Sequence, residues 1–370
     1  MKYQRMPIEI ESPEELGYGT IQYNLAESSY RDQSLEDVNI HLKDVVLCYG
    51  EHRGATPLRE AIIDNSKILK PDDVLVTIGA AMALFMIATS LLNKKNHLVV
   101  IRPNYGTNLE TPRAMQVPMT IVDLKFENGF QLDIEKIKKA MRPTTKIISI
   151  TQPHNPTGVL FPEKTLHQLI EIAEANDCYL LVDETYRELN FQTALQPFLA
   201  ELSPRVISVG SLSKAYGVPG IRTGWLICRD VGLINLFLAA KEQICIGNSV
   251  LDEAAAFQVL QQRTTLIPKF HAHIKSNFEL LTKHFAENKF VEYVAPSAGC
   301  VCFPRLKKEF EIDFEKFKHM LYHDYKTVVG FGHWFEQPDK YFRIGFGYPL
   351  ADELTQGLLN FRNCIENTLK

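Results

Sequence analysis

Lys214 stands between two hydroxyl residues, Ser211 and Ser213, and a glycine-rich turn in the run Ser211-Leu212-Ser213-Lys214-Ala215-Tyr216-Gly217-Val218-Pro219-Gly220-Ile221-Arg222. An amine held there, partly stripped of water, is a nucleophile suited to forming a Schiff base with an aldehyde. The Ser211 and Ser213 hydroxyls and the planar guanidinium of Arg222 supply the donors that would hold a phosphate close by. Asp183 follows the apolar run Tyr179-Leu180-Leu181-Val182, which delivers its carboxylate at a strand end, where open α/β sheets bind their ligands. Arg343 lies inside Tyr341-Phe342-Arg343-Ile344-Gly345-Phe346, and a guanidinium buried in such a strand needs an anionic partner.

The elements that must position these groups read as strands alternating with helices. Val206-Ile207-Ser208-Val209 is a buried strand that ends just before the lysine segment. Val74-Leu75-Val76-Thr77 is another, and it turns at once through Gly79-Ala80-Ala81 into an apolar helix. Small residues at such a turn leave amides exposed at a helix start, where an anion is favoured. Leu98-Val99-Val100-Ile101 leads to Tyr105, and Lys146-Ile147-Ile148-Ser149-Ile150 leads to His154-Asn155-Pro156-Thr157-Gly158. Thr56 followed by Pro57 reads as a cap and first helical residue, with Leu58, Ile62, Ile63, Ile68 and Leu69 on one stripe. This alternation predicts an α/β fold: a mostly parallel sheet over residues 74–228, covered by helices on both faces. Beyond it, helices over 232–244, 250–262 and 266–287 and several short strands predict a smaller α+β domain. The expected division is an N-terminal arm over 1–45, polar and irregular, that forms part of the small domain, a large domain over 46–248 and the rest of the small domain over 249–370.

The lysine run resembles the segment Ser-x-Ser-Lys-x-x-Gly-x-x-Gly-x-Arg-x-Gly of the fold-type I pyridoxal-phosphate enzymes, in particular the class I/II aminotransferases. The resemblance extends in family order from Tyr49-Gly50 through Asn155-Pro156-Thr157-Gly158 and Asp183 to Arg343. It implies pyridoxal 5'-phosphate bound to Lys214, with Gly79, Ala80, Ala81, Ser211, Ser213 and Arg222 around the phosphate. It implies Tyr105 stacked on the ring, Asn155 and Tyr186 at the ring hydroxyl, and Asp183 on the ring nitrogen, where a carboxylate keeps the ring an electron sink. Arg343, with Asn155, would grip the substrate carboxylate, and Tyr49 would reach the phosphate of a neighbouring subunit in a homodimer with shared sites. The arm would cross the substrate mouth. The implied reaction moves the amino group of an L-amino acid to a 2-oxo acid by ping-pong kinetics, with Lys214 as the proton carrier. The same residues would serve β-elimination, cyclisation, racemisation or oxidation, and a non-catalytic ligand sensor is a further alternative. His154 departs from the asparagine usual in the family, and the segments Cys245 to Asp252 and Val329 to Trp334 also depart from its commoner patterns.

The formal charge of -4 over 370 residues offers no broad basic field, so nucleic acid is not an expected partner. The longest apolar helical run, residues 80–92, falls short of the roughly 20 residues that cross a bilayer, and no membrane is expected. Seven cysteines, odd in number and without a Cys-x-x-Cys pair, point to reduced thiols and a cytoplasmic location. His271 with His273 and His319 with His323 have no third ligand in pattern, so no metal is expected. Tyr105, Trp334 and Phe335 hint at an apolar or aromatic substrate side chain.

Overall fold

In the computed structural model, which describes residues 1–192 and 194–370, thirteen strands are distributed over three sheets. The first strand, β1 (Tyr23–Leu25), lies in the N-terminal arm. The large sheet comprises β2 (Val74–Ile78), β3 (His97–Arg102), β4 (Met119–Asp123), β5 (Thr145–Thr151), β6 (Tyr179–Asp183), β7 (Val206–Ser211) and β8 (Thr223–Ile227). Their order across the sheet is β2-β8-β7-β6-β5-β3-β4. β3 to β7 and β4 pair in parallel, and only β8 runs against its neighbours β2 and β7. Strands buried on both faces need apolar residues at every position, and those at successive positions enter two different cores. Leu98, Val100, Leu181 and Ile207 pack with Ala83, Met86 and Ile87 of the helix Gly79–Leu91, while Val99, Ile101, Leu180 and Val206 face the other core with Leu169 and Ala173.

The C-terminal part supplies β9 (Val291–Glu292), β10 (Val301–Cys302), β11 (Arg305–Leu306), β12 (Thr327–Phe331) and β13 (Phe342–Gly345). A four-stranded sheet has the order β1-β12-β13-β10, so a strand of the arm joins strands from the far end of the chain. Tyr23 pairs with Thr327 and Leu25 with Val329, in parallel. Gly345 of β13 lets the segment just after β1 pass close over it, because a Cβ there would meet the Glu27 carbonyl oxygen at 1.8 Å.

Several local expectations differ from the structure. The arm is irregular only in part: two short helices, Pro7–Ile10 and Pro13–Leu16, precede β1, while residues 26–45 form neither helix nor strand. Thr56 is the first residue of its helix rather than the cap, which is Ala55, and the Glu51 carboxylate takes the Thr56 N–H and hydroxyl at 2.9 and 2.8 Å. That helix ends at Ile62, and Ile68 is exposed, so the apolar stripe does not reach it. The long helix begins at Arg263, one turn earlier than expected, and runs to Glu287 through Pro268.

Candidate active site

The large sheet carries its reactive side chains at one edge. Asp183 closes β6, Ser211 closes β7, Lys214 follows in the short helix Leu212–Ala215, and Asn155 lies in the loop after β5. Arg343 reaches the same place from β13. These five residues, with Ala80, Ala81, Tyr105, Tyr186, Ser213 and Arg222, line one cavity of about 340 Å³. Trp334 lines it too, whereas Phe335, 1% exposed, is packed in the core, which removes one of the residues behind an apolar reading of the pocket. Tyr49, 89% exposed, lies outside this cavity within the single chain.

Asp183 is 5% exposed, and its Oδ1 accepts from the Thr185 hydroxyl at 2.6 Å and the Thr185 N–H at 3.1 Å. Burial raises its pKa, and the two Thr185 bonds oppose that rise. No cation pairs with it among the described residues, so it suits a positively charged group entering the cavity. Asn104 is fully buried and organises the neighbouring loop: its Oδ1 accepts from the Tyr105 N–H, Asn108 and Thr151. The Tyr105 hydroxyl donates to Glu9 at 3.1 Å, and that of Tyr186 to Ser28 at 2.9 Å, so both are tied to the arm.

The phosphate side is built by backbone fit. Gly79 has φ +68, and a Cβ there would stand 2.7 Å from Nη2 of Arg222. Arg222 itself has φ 41, a left-handed conformation that is costly for a side chain of this size and recurs at ligand sites. A Cβ on Gly224 would meet Gly79 C and Ala80 N at 2.5 and 2.6 Å, so β8 presses directly on the start of the helix Gly79–Leu91. The Gly79 N–H donates to the Arg222 carbonyl at 2.9 Å and Gly79 itself does not line the cavity. The next residues of the helix start, Ala80 and Ala81, line it together with Arg222, an arrangement that fits a phosphate.

Arg343 is 4% exposed; it donates to the Ala26 carbonyl at 2.7 Å and to Asn155 Oδ1 at 3.2 Å, and its Nε has no partner. It forms no ion pair among the described residues, so it is not held there by a structural salt bridge. Burial pulls its pKa down. His154, by contrast, does not line the cavity. Its Nε2 donates to the Pro103 carbonyl at 2.9 Å and its Nδ1 accepts from Thr157 at 2.7 Å, while burial lowers its pKa to about 4. It is a neutral brace for the Asn155 loop.

The arm contributes what sequence reasoning missed. Glu9, Ser12, Glu14, Tyr18, Glu27 and Asp32 all line the cavity. Glu11 anchors the arm: its Oε2 accepts from Trp334 Nε1 at 2.6 Å and meets His333 Nε2 at 2.7 Å. The only signal for the arm was the family's general placement of its N-terminal segment across the mouth.

The chain belongs to the family of class I and II aminotransferases, which it matches over residues 20–355. It is 26% identical to, and covers all of, a PLP-dependent aminotransferase of Streptococcus suis 89-1591, with a TM-score of 0.90 over 100% of both chains. It is 30% identical to a probable aspartate/prephenate aminotransferase of Thermus aquaticus, over 58% of this chain and 57% of that protein, so it spans little more than half of that relative. A capreomycidine synthase of Streptomyces vinaceus is 26% identical over 84% of this chain and 78% of its own. The fold is thus that of the fold-type I pyridoxal-phosphate enzymes, and pyridoxal 5'-phosphate is the cofactor that the family implies. The residues present fit it: an unpaired buried carboxylate, an anion cradle at a helix start and a lysine share one cavity.

Proposed function

We propose that the protein transfers the amino group of an L-amino acid to a 2-oxo acid, in two half-reactions at one site. The observation that carries this reading is the convergence of Lys214, Asp183 and Arg343 on a single cavity from three separate elements. Ala80, Ala81, Ser211, Ser213 and Arg222 would hold the cofactor phosphate, Tyr105 its ring face, Asn155 and Tyr186 its ring hydroxyl, and Lys214 its aldehyde carbon. When bound, pyridoxal 5'-phosphate supplies a sink for the electrons left when an α-proton departs. Asp183, kept from water and without a cation of its own, holds the ring nitrogen's charge. Arg343 and Asn155 fix the substrate carboxylate, which orients the α-carbon toward the Lys214 amine. That amine takes up the α-proton as a general base and returns a proton as a general acid. A homodimer in which Tyr49 completes the neighbouring site, and a cytoplasmic location, belong to the same proposal.

A second reading, cyclisation of the amino acid, is supported by the match to capreomycidine synthase, which is as extensive as that to an aspartate aminotransferase of Thermotoga maritima, each over 84% of this chain. The two are separated by mixing the holoenzyme with a panel of amino acids and a 2-oxo acid. Transfer is read as a change in cofactor absorbance on the donor alone, followed by a new amino acid and a new oxo acid in the mass spectrum. A product that keeps its nitrogen, or free ammonia, refutes transfer.

A further inference from the structure

The cavity is unevenly charged. Its lining holds three cations, Lys214, Arg222 and Arg343, each of which has a task on the aminotransferase reading: aldehyde, phosphate and α-carboxylate. Besides Asp183 it holds four carboxylates, Glu9, Glu14, Glu27 and Asp32, all on the arm. None of these four takes part in an ion pair among the described residues, and their partners are weak. Tyr18 donates to Glu27 at 3.5 Å, Tyr348 to Asp32 at 3.2 Å and Tyr105 to Glu9 at 3.1 Å. The nearest arginine of the arm, Arg31, is committed to Glu353 at 2.7 Å.

The carboxylates also disturb one another. Burial and then the charge of Glu27 raise the pKa of Asp32, and burial with Glu27, Glu14 and Asp32 raises that of the Tyr18 hydroxyl. Glu14 and Asp32 reach solvent while Glu9 and Glu27 are half-buried, so water and the nearby Lys214 and Arg31 offset part of this collected negative charge, and a bound cation relieves what remains. Two buried groups in the same lining are also without partners: the hydroxyl of Ser12, 6% exposed, and Nε of Arg343, 4% exposed. Glu27 lies within electrostatic reach of Arg343, and Asp32 within reach of Lys214. An amino acid fixed by its carboxylate on Arg343 and by its nitrogen at Lys214 therefore presents its side chain to this acidic lining.

We propose that the amino acid accepted here carries a positive charge on its side chain, a guanidinium or an ammonium group, held chiefly by Glu27 and Asp32. This rests on the reading of the cavity as the amino-acid site of the family. A dicarboxylic side chain finds no further cation among the lining residues of this chain and meets repulsion from the arm.

The test uses ligands that bind without reacting. δ-Guanidinovalerate has the carboxylate and guanidinium of arginine but no α-amino group; δ-ureidovalerate is its neutral isostere, δ-(dimethylamino)valerate carries an ammonium whose tertiary nitrogen cannot form a Schiff base, and glutarate carries a second carboxylate. Their dissociation constants on the holoenzyme are measured by calorimetry. The guanidinium or the ammonium ligand is expected to bind about tenfold or more tightly than the ureido compound, the effect of one partly exposed charge-assisted hydrogen bond. The two cationic ligands differ in which of these charges is preferred. In Glu27→Gln, Asp32→Asn and their combination, that ratio is expected to fall toward one. The ureido affinity of each variant reports whether its pocket is intact. Equal binding of cationic and neutral ligands, tighter binding of glutarate, or a ratio that survives both substitutions overturns the proposal. Because no ligand of the set reacts, cation preference without any transfer from arginine, ornithine or lysine would refute the transfer reading and leave this one standing.

Discussion

Replacing Arg343 by methionine separates a binding residue from a structural one. The guanidinium is buried and has no carboxylate partner, and it makes two neutral-acceptor hydrogen bonds, to Ala26 and Asn155. Losing those bonds costs about 1 kcal/mol each, while removing an uncompensated buried cation returns several kcal/mol of desolvation. The net effect expected on the holoenzyme is neutral to stabilising, by about 1–2 kcal/mol. Carboxylate binding should respond in the opposite direction. Two charge-assisted hydrogen bonds at about 1.5–3 kcal/mol each correspond to a loss of roughly a hundred- to ten-thousandfold in affinity. Thermal melting of the holoenzyme and calorimetric titration with a monocarboxylate ligand report the two quantities independently. A methionine variant that melts well below the parent yet binds carboxylates as tightly would refute the assignment of Arg343 to the substrate, and would make it a strut between β13, the arm and the Asn155 loop.

Gly79→Ala should displace the Arg222 guanidinium, since the new Cβ stands 2.7 Å from Nη2 and the backbone has φ +68. Cofactor affinity, read by fluorescence titration, is expected to fall about tenfold, and an unchanged value would remove Arg222 from the phosphate site. His154→Asn should leave the pH profile of activity unaltered from about pH 6 to 9, because burial holds the imidazole neutral with a pKa of about 4. A lost limb in that range would mean that His154 titrates in the reaction. The pKa of Glu11 is lowered below its ordinary 4.5, because burial, which raises it, is outweighed by the His333 and Trp334 hydrogen bonds and the positive charges of His333 and Lys318. A depressed carboxylate stabilises above its unfolded pKa and loses that contribution as pH falls through the folded one. The protection of residues 7–20 against hydrogen exchange, relative to the intrinsic rate at each pH, should therefore fall below about pH 4.5 in the parent, and already be low at neutral pH in Glu11→Gln. Tyr49→Phe should weaken cofactor retention if the side chain completes a neighbour's site, and a fully active monomer would rule that out.

The chemistry of the large sheet was legible because strand ends announce themselves. β6 ends at Asp183 and β7 at Ser211, three residues before Lys214, which sets both groups at the carboxyl ends of neighbouring strands; Asn155, in the loop after β5, was picked out by the family resemblance, and Arg343 stood out as a charge in an apolar strand. The arm was not legible for the converse reason. Glu9, Glu14, Glu27 and Asp32 belong to a polar segment that looks the same whether it faces water or a cavity, and nothing near Tyr23–Leu25 shows that its partner is β12. Thr56 misled because a threonine before proline satisfies the capping pattern, whereas Glu51, five positions earlier, already serves that helix start. His154 has a type that invites a catalytic role, and only its surroundings, Thr157 and the Pro103 carbonyl, reveal a brace.

The parallel pairing of β1 with β12 bears on how the molecule is made. A ribosome releases Tyr23 long before Thr327 exists, so the nascent arm must wait, unpaired, while the large sheet forms behind it. Its acidic residues can frame the pocket only once β12 and β13 have emerged, and contacts this distant in sequence form slowly. Synthesis that stalls before β12 would leave a cofactor cradle without its substrate wall.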